Sequence, residues 1–211
     1  MQAARGASLT PEDAARDDTT DPGTAPAARP GVSRRRLGLF IAVVAIAYAA
    51  DLLTKTLAVA YLPGREPLTV VPEVLQLTFV RNAGAAFGMA TGFTVVLSLV
   101  ALAVCVAVGR LARRLQDTVW AAALGLLLGG ALGNLTDRVF RAPGPLRGHV
   151  VDFLQLVHFP VIDFPVFNVA DLCITTAAVL ITVQSFRGLG VDGRRHAASK
   201  DAPGGSARRT T

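Results

Sequence analysis

Apolar residues run along this chain in four long stretches divided by shorter polar ones. The first, residues 37–57, holds about 21 residues, and roughly 20 apolar residues in a helix cross a hydrocarbon core of about 30 Å. Residues 90–109, 119–135 and 166–183 form the other three. The pattern therefore predicts four transmembrane helices. Between the first two the period changes: Leu75, Leu77 and Phe79 alternate with Gln76 and Thr78, after a β-prone run at residues 68–71 and a break at Pro72. Two short strands are expected there. The predicted fold is a membrane protein, mainly α, with four transmembrane helices and a small β-sheet platform at the outer membrane surface.

Composition agrees with this class. The 211 residues are 52% hydrophobic and only 17% charged, with mean hydropathy +0.47, too apolar for an ordinary soluble domain. A net charge of +6 invites a nucleic-acid reading, but the arginines gather beside apolar spans without interleaved aromatics, so no nucleic-acid partner is expected. Arg34, Arg35 and Arg36 precede the first span, Arg110, Arg113 and Arg114 fill the second connection, and Arg187, Arg194 and Arg195 follow the fourth. By the positive-inside rule both termini are cytoplasmic. Arg65, Arg81, Arg138, Arg141 and Arg147 on the other side weaken that bias without reversing it. The Ser33–Arg36 run before an apolar stretch looks like a twin-arginine signal peptide, yet the stretch is long enough to span, which favours an uncleaved first helix.

Residues 1–32 and 188–211 lack apolar periodicity and are expected to be disordered tails around a membrane domain at 33–187. Cys105 and Cys173 lie in apolar runs and read as core-filling thiols; His149, His158 and His196 are scattered, so neither a zinc nor a haem site is expected. Ala121, Gly125, Gly129 and Gly133 recur every four residues, a ridge that lets another helix approach closely.

Tracing the spans brings their polar residues to the outer face. Asp51 and Lys55 close the first helix there, Asn82–Gly88 lead into the second, Asn134–Arg138 finish the third, and Asn168 and Asp171 begin the fourth. Asp171 would lie about five residues inside its helix, roughly 7–8 Å below the end. Asp152 sits in the apolar VVDFL segment, which can fold back toward it. An ionised carboxylate in hydrocarbon costs at least about 2.5–3.5 kcal/mol, so two of them with few cations nearby point to function. Several neighbours have plainer readings. Asp51 and Lys55 are spaced i, i+4 and can neutralise each other, Arg138 can snorkel to headgroups, Asp163 reads as a solvated interfacial acid, and Asp137 stands evenly between structure and site. Without a Ser or Cys nucleophile beside a His base, or a metal-ligand cluster in the spans, the chemistry left is two carboxylates sharing a proton and activating water.

DLLTK at 51–55, RNAGAAFG at 81–88, GGALGNLTDR at 129–138, VVDF at 150–153 and FNVAD at 167–171 resemble, in order, the motifs of lipoprotein signal peptidase, also called signal peptidase II. The resemblance covers roughly residues 37–186. It implies a bacterial inner-membrane aspartic endopeptidase, needing no cofactor or metal, that cuts prolipoproteins just before a diacylglyceryl-modified Cys. It implies Asp152 and Asp171 as the catalytic pair, with Asp51, Lys55, Asn82, Gly84, Asn134, Arg138, Asn168 and Ala170 lining or supporting the site. It implies, as partners, a lipid-modified prolipoprotein and membrane lipids, and a monomer. The long N-terminal extension and the RAPGPLRG segment depart from the family pattern. A proton- or cation-coupled transporter is the alternative from another class, since membrane acids also form ion relays, but the chain has no evident inverted repeat. A non-enzymatic assembly subunit, its charges paired with partner helices, is a third.

Removing residues 1–30 together with everything after Arg195 should leave turnover of a lipid-modified precursor unchanged, because neither tail carries core-forming residues. The check is turnover per inserted molecule.

Overall fold

Three arginines start the first helix and an almost unbroken apolar sequence carries it on. In the computed structural model, which describes residues 33–84, 93–157 and 164–195, α1 spans Arg34–Tyr61. Its 28 residues make it longer than the predicted span, so Asp51 and Lys55 do not close the helix but lie inside it. Lys55 is about 9 Å short of the end. The buried residues Phe40, Ala47, Asp51, Lys55 and Ala58 form one stripe. Ile41, Ile46 and Leu53, on the outside, are 56%, 69% and 60% exposed, as expected of a helix whose other faces meet lipid.

The remaining helices are α2 at Thr94–Leu111, α3 at Thr118–Phe140 and α4 at Val169–Phe186. All four are long and apolar enough to cross a membrane. Asp117 caps α3, its side chain accepting from Trp120 N–H at 2.9 Å. α3 packs against each of the other three helices. Toward α1 the predicted small-residue ridge is what allows this. A Cβ on Gly125 would stand 2.9 Å from Val43 Cβ, and one on Gly129 2.7 Å from Ala47 Cβ and 3.0 Å from Val44 O. Gly130 faces the other way, its absent Cβ 2.6 Å from Ala170 O on α4. At Gly133 the neighbour is the Asp51 carboxylate itself, so the last glycine of the ridge serves a polar cluster as well as packing.

Three strands lie at the other end of the bundle from the Arg34–Arg36 start: β1 at Leu68–Val71, β2 at Leu75–Asn82 and β3 at Val150–Leu156, antiparallel in that order. The first two occupy the alternating segment read from the sequence. β3 was not anticipated as a strand. It holds the VVDFL stretch against β2, with Val80 opposite Asp152 and Arg81 opposite Val151. Phe167 bridges β3 on its other side, through Leu154 N–H to Phe167 O at 2.8 Å and Phe167 N–H to Leu154 O at 2.9 Å. Val151 and Phe153 pack with Ala58 of α1 and with Leu62, Leu77, Phe79 and Val169, which fastens the sheet to the helices.

Besides α1, other boundaries differ from expectation: α2 runs to Leu111 and α3 to Phe140, past the expected 109 and 135. α4 starts at Val169, because Asn168 caps it and Asp171 completes a reciprocal capping box; Asp171 is thus in the first turn, not five residues inside. Residues 188–195, expected to begin the disordered tail, fold back on the start of α3: Trp120 Nε1–H donates to Leu189 O and Gln116 N–H to Val191 O, each at 2.9 Å. Residues 1–32 and the rest of the C-terminal segment, His158, Asp163 and His196, and part of RNAGAAFG lie outside the described residues.

Gly129→Leu should lower the thermal midpoint of the purified protein in detergent, since the side chain would meet Ala47 and the α1 backbone. Overpacking of this kind costs about 1–3 kcal/mol. Scanning calorimetry checks it; an unshifted midpoint would mean that the two helices are not held at this distance.

Candidate active site

The site is assembled from five elements, and each contributes a side chain whose partner lies elsewhere in the chain. Lys55 of α1 is 1% exposed. Its ammonium stands 2.8 Å from Asp51 Oδ2 and 3.1 Å from Asp137 Oδ2, and donates to Asn134 Oδ1 at 2.8 Å. Each partner then holds another element. Asp51 Oδ1 accepts from Ala170 N–H at 2.8 Å, fixing the first turn of α4, and Asp137 Oδ2 accepts from Val151 N–H at 3.1 Å, fixing β3. Ala170 is fully buried, and its carbonyl oxygen lies against Gly130 of α3.

The two carboxylates singled out in the sequence are held by asparagines. Asp171 accepts from Asn134 Nδ2 at 2.9 Å and from Asn168 N–H at 3.1 Å. Asp152 accepts from Asn168 Nδ2 at 2.7 Å and Asn82 Nδ2 at 2.9 Å. Asn168 is the link: its carbonyl oxygen accepts from Asp171 N–H at 3.1 Å, and its amide nitrogen reaches Asn134 Oδ1 at 3.2 Å as well as Asp152. Asn82 also accepts from Gly84 N–H at 2.9 Å, and Gly84 O accepts from Arg138 Nη2 at 2.7 Å. All ten residues proposed from the sequence thus converge.

Asp137 is the member left undecided by the sequence. It is 2% exposed and pairs through Oδ1 with Arg141 as well as with Lys55. The i, i+4 spacing of Asp137 and Arg141 was a readable signal, but its meaning depends on Lys55, distant in sequence. The plain reading of Asp51 and Lys55 as mutually neutralising is realised, although Lys55 serves three partners. Arg138 does not snorkel; it is 7% exposed and its Nη1 has no acceptor among the described residues.

Burial dominates the electrostatics of Asp152 and pushes its carboxyl up to about 6. The Asn82 hydrogen bond opposes this, the negative charge of Asp171 adds to it, and Asn168 and Lys55 pull it back. Four carboxylates, Asp51, Asp137, Asp152 and Asp171, face three cations, Lys55, Arg138 and Arg141. The acids thus outnumber the cations by one. A pair such as Asp152 and Asp171 can hold a water, take a proton from it and return one. Beside it runs a groove of about 640 Å³, floored by Leu127 and Ala131 of α3 and walled by Leu97, Val100 and Val104 of α2 and Leu172 and Ile174 of α4. Its lining is mostly apolar, and its polar side chains are those of the site together with Thr175, so it suits an apolar chain with one reactive polar bond.

Residues 43–187 match the family model described as signal peptidase (SPase) II. The chain is 50% identical over 163 residues to a lipoprotein signal peptidase of Streptomyces coelicolor, covering 77% of this chain and 78% of that one. It is 49% identical over 179 residues to one of Mycobacterium avium, covering 84% and 94% respectively. A solved bacterial membrane enzyme superposes with a TM-score of 0.63 at 27% identity, covering 76% of this chain and 95% of its own.

The Asp152 carboxyl titrates near 3.8 when unperturbed and at about 6 in the folded protein. The folded form therefore holds its proton across that interval and the unfolded form does not, so stability falls as pH rises from about 4 to about 6, by at most about 3 kcal/mol. Asp152→Asn, which cannot ionise, should remove that decline. Thermal midpoints of both proteins across this range measure it, and parallel curves would contradict the assignment.

Proposed function

This chain belongs to the signal peptidase II family, and from that premise we propose that it is an intramembrane aspartic endopeptidase that removes signal peptides from diacylglyceryl-modified prolipoproteins, cutting before the lipidated Cys. The observation that carries the reading is the pair Asp152 and Asp171, joined through Asn168 and placed beside an apolar groove. The transporter alternative is not favoured: the acids sit together at one end of the bundle, and the family is that of a peptidase.

In the proposed reaction a water lies between the two carboxyls. Asp171, as carboxylate, takes a proton from it while the water oxygen attacks the scissile carbonyl carbon. Asp152 passes the shared proton to the carbonyl oxygen, giving a tetrahedral diol. Collapse of the diol breaks the C–N bond, with a proton passing to the departing nitrogen of the Cys residue, and one proton remains on the pair. No metal or cofactor is needed for these steps.

The groove would take the substrate's apolar parts by lateral entry from the bilayer. The arginines at the starts and ends of the helices favour cytoplasmic termini and a site near the outer face of the bacterial inner membrane. A single chain supplies every residue used, consistent with a monomer.

Asp152→Asn and Asp171→Asn should each reduce release of the signal peptide from a lipid-modified precursor by about a thousandfold or more, because an amide can neither accept the water proton nor share one. The wild-type rate should follow a bell-shaped pH profile whose two apparent pKa values belong to the pair. Asp163→Asn, outside the described residues, serves as the active control. Turnover near wild type in either dyad variant, with membrane insertion verified, would defeat this mechanism.

A further inference from the structure

A second cleft, of about 250 Å³, opens on the face of the sheet opposite Asp152. Register decides this. With Val80 opposite Asp152 and Arg81 opposite Val151, alternation sends Val80, Asn82 and Asp152 to the groove side and Arg81, His149 and Val151 to the other. Arg81, His149 and Val151 line the cleft together with Arg141 and Ala142, just past the end of α3.

None of the lining side chains is acidic. Arg81 is exposed, and its guanidinium stacks on its strand neighbour Phe79, 5.6 Å from the ring centre, which steadies it without neutralising it. Among the described residues no carboxylate pairs with Arg81. Arg141 uses Nε for Asp137, and its two terminal nitrogens have no acceptor among the described residues. Two of the carbonyls at the end of α3, which would repel an anion, are engaged: Arg141 N–H donates to Asp137 O at 3.0 Å and Gly148 N–H to Arg138 O at 2.9 Å. His149 N–H closes Ala142 O at 3.1 Å. The cleft therefore presents donors and positive charge with no acid in its lining, and the one counter-ion behind it, Asp137, is shared between Arg141 and Lys55.

We propose that this cleft binds a phosphate oxyanion, supplied either by the headgroup of an anionic membrane lipid or as free inorganic phosphate. Guanidinium forks match phosphate oxygens in pairs, and the volume leaves room for a phosphate with a few further atoms. Phe140, beside Arg141, is 82% exposed, and Tyr61 at the end of α1 is 61% exposed. Aromatic residues at the ends of spanning helices mark the level of the lipid headgroups, where basic pockets meet their phosphates. Occupation would act on the catalytic side through two links, since Arg81 adjoins Asn82, and Arg141 shares Asp137 with Lys55 and Val151 N–H.

The test is calorimetric titration of the full chain in neutral maltoside micelles with a short-chain phosphatidylglycerol and, separately, with inorganic phosphate. Binding of at least one is expected, with affinity falling about tenfold or more in Arg81→Gln and less in Arg81→Lys. Arg113→Gln, at the other end of the bundle, should leave the affinity unchanged. Binding of the lipid alone assigns the site to a headgroup, and binding of phosphate alone to the free ion. His149→Gln repeats the test from the residue just before β3, in case Arg81→Gln does not fold. Binding of neither ligand, or affinity that survives both the Arg81 and His149 changes, or an equal loss in Arg113→Gln, would overturn the proposal. The readout needs no turnover, so it stands or falls apart from the peptidase reading.

Discussion

An ammonium group buried among helices must be surrounded by acceptors, because an unpaired buried charge costs several kcal/mol. Lys55 meets that requirement with Asp51 of its own helix and with Asp137 and Asn134 of α3. Each of these acceptors has a second obligation: Asp51 to the Ala170 amide, Asp137 to the Val151 amide and to Arg141, Asn134 to Asp171. The first turn of α4, the strand bearing Asp152 and the carboxylate of Asp171 are therefore all referred to one nitrogen atom. Displacing any of them leaves either a buried charge or a buried backbone donor unsatisfied.

Close helix approach is what lets Lys55 reach α3. Gly125 and Gly129 remove the side chains that would separate α1 from α3, and Gly133 leaves space for the Asp51 carboxylate. Gly130, on the opposite side, admits the Ala170 carbonyl. Small residues thus do in this bundle what hydrophobic burial does in a soluble core, where water, and not lipid, lies outside. The large apolar side chains are accordingly found outward on α1, α2 and α4.

Between that charged cluster and the groove stands a layer of asparagines. Asn82, Asn134 and Asn168 offer amide donors to Asp152 and Asp171 and add no charge. These neutral donors orient the two carboxyls without bringing a further positive charge to them. Asn168 does this while capping α4, so the start of a helix and the alignment of two acids depend on one side chain.

Length and hydropathy are local properties, and four spans, the β1–β2 segment and the small-residue ridge could be read from them directly. The two acids were legible for a related reason, since a carboxylate in apolar sequence is expensive wherever the chain takes it. Their neighbours in DLLTK, GNLTDR and FNVAD could be traced to the same end of the spans, but their part in the site was legible only as a family resemblance. β3 was hidden because VVDFL is apolar without alternation, and only β2 and Phe167 beside it make it a strand. The start of α4 was set three residues too early because hydropathy does not register a cap made by Asn168 and Asp171 together. The ordering of 188–195 was invisible because Trp120 and Gln116, which hold it, lie about seventy residues upstream. Asp137 stayed ambiguous because an acid at a helix end acquires meaning only from what faces it. The sequence by itself determined which segments leave water and which groups cannot do so unpaired; tertiary structure alone decided how those groups pair, because hydrogen bonds and ion pairs act over about 3 Å between residues far apart along the chain.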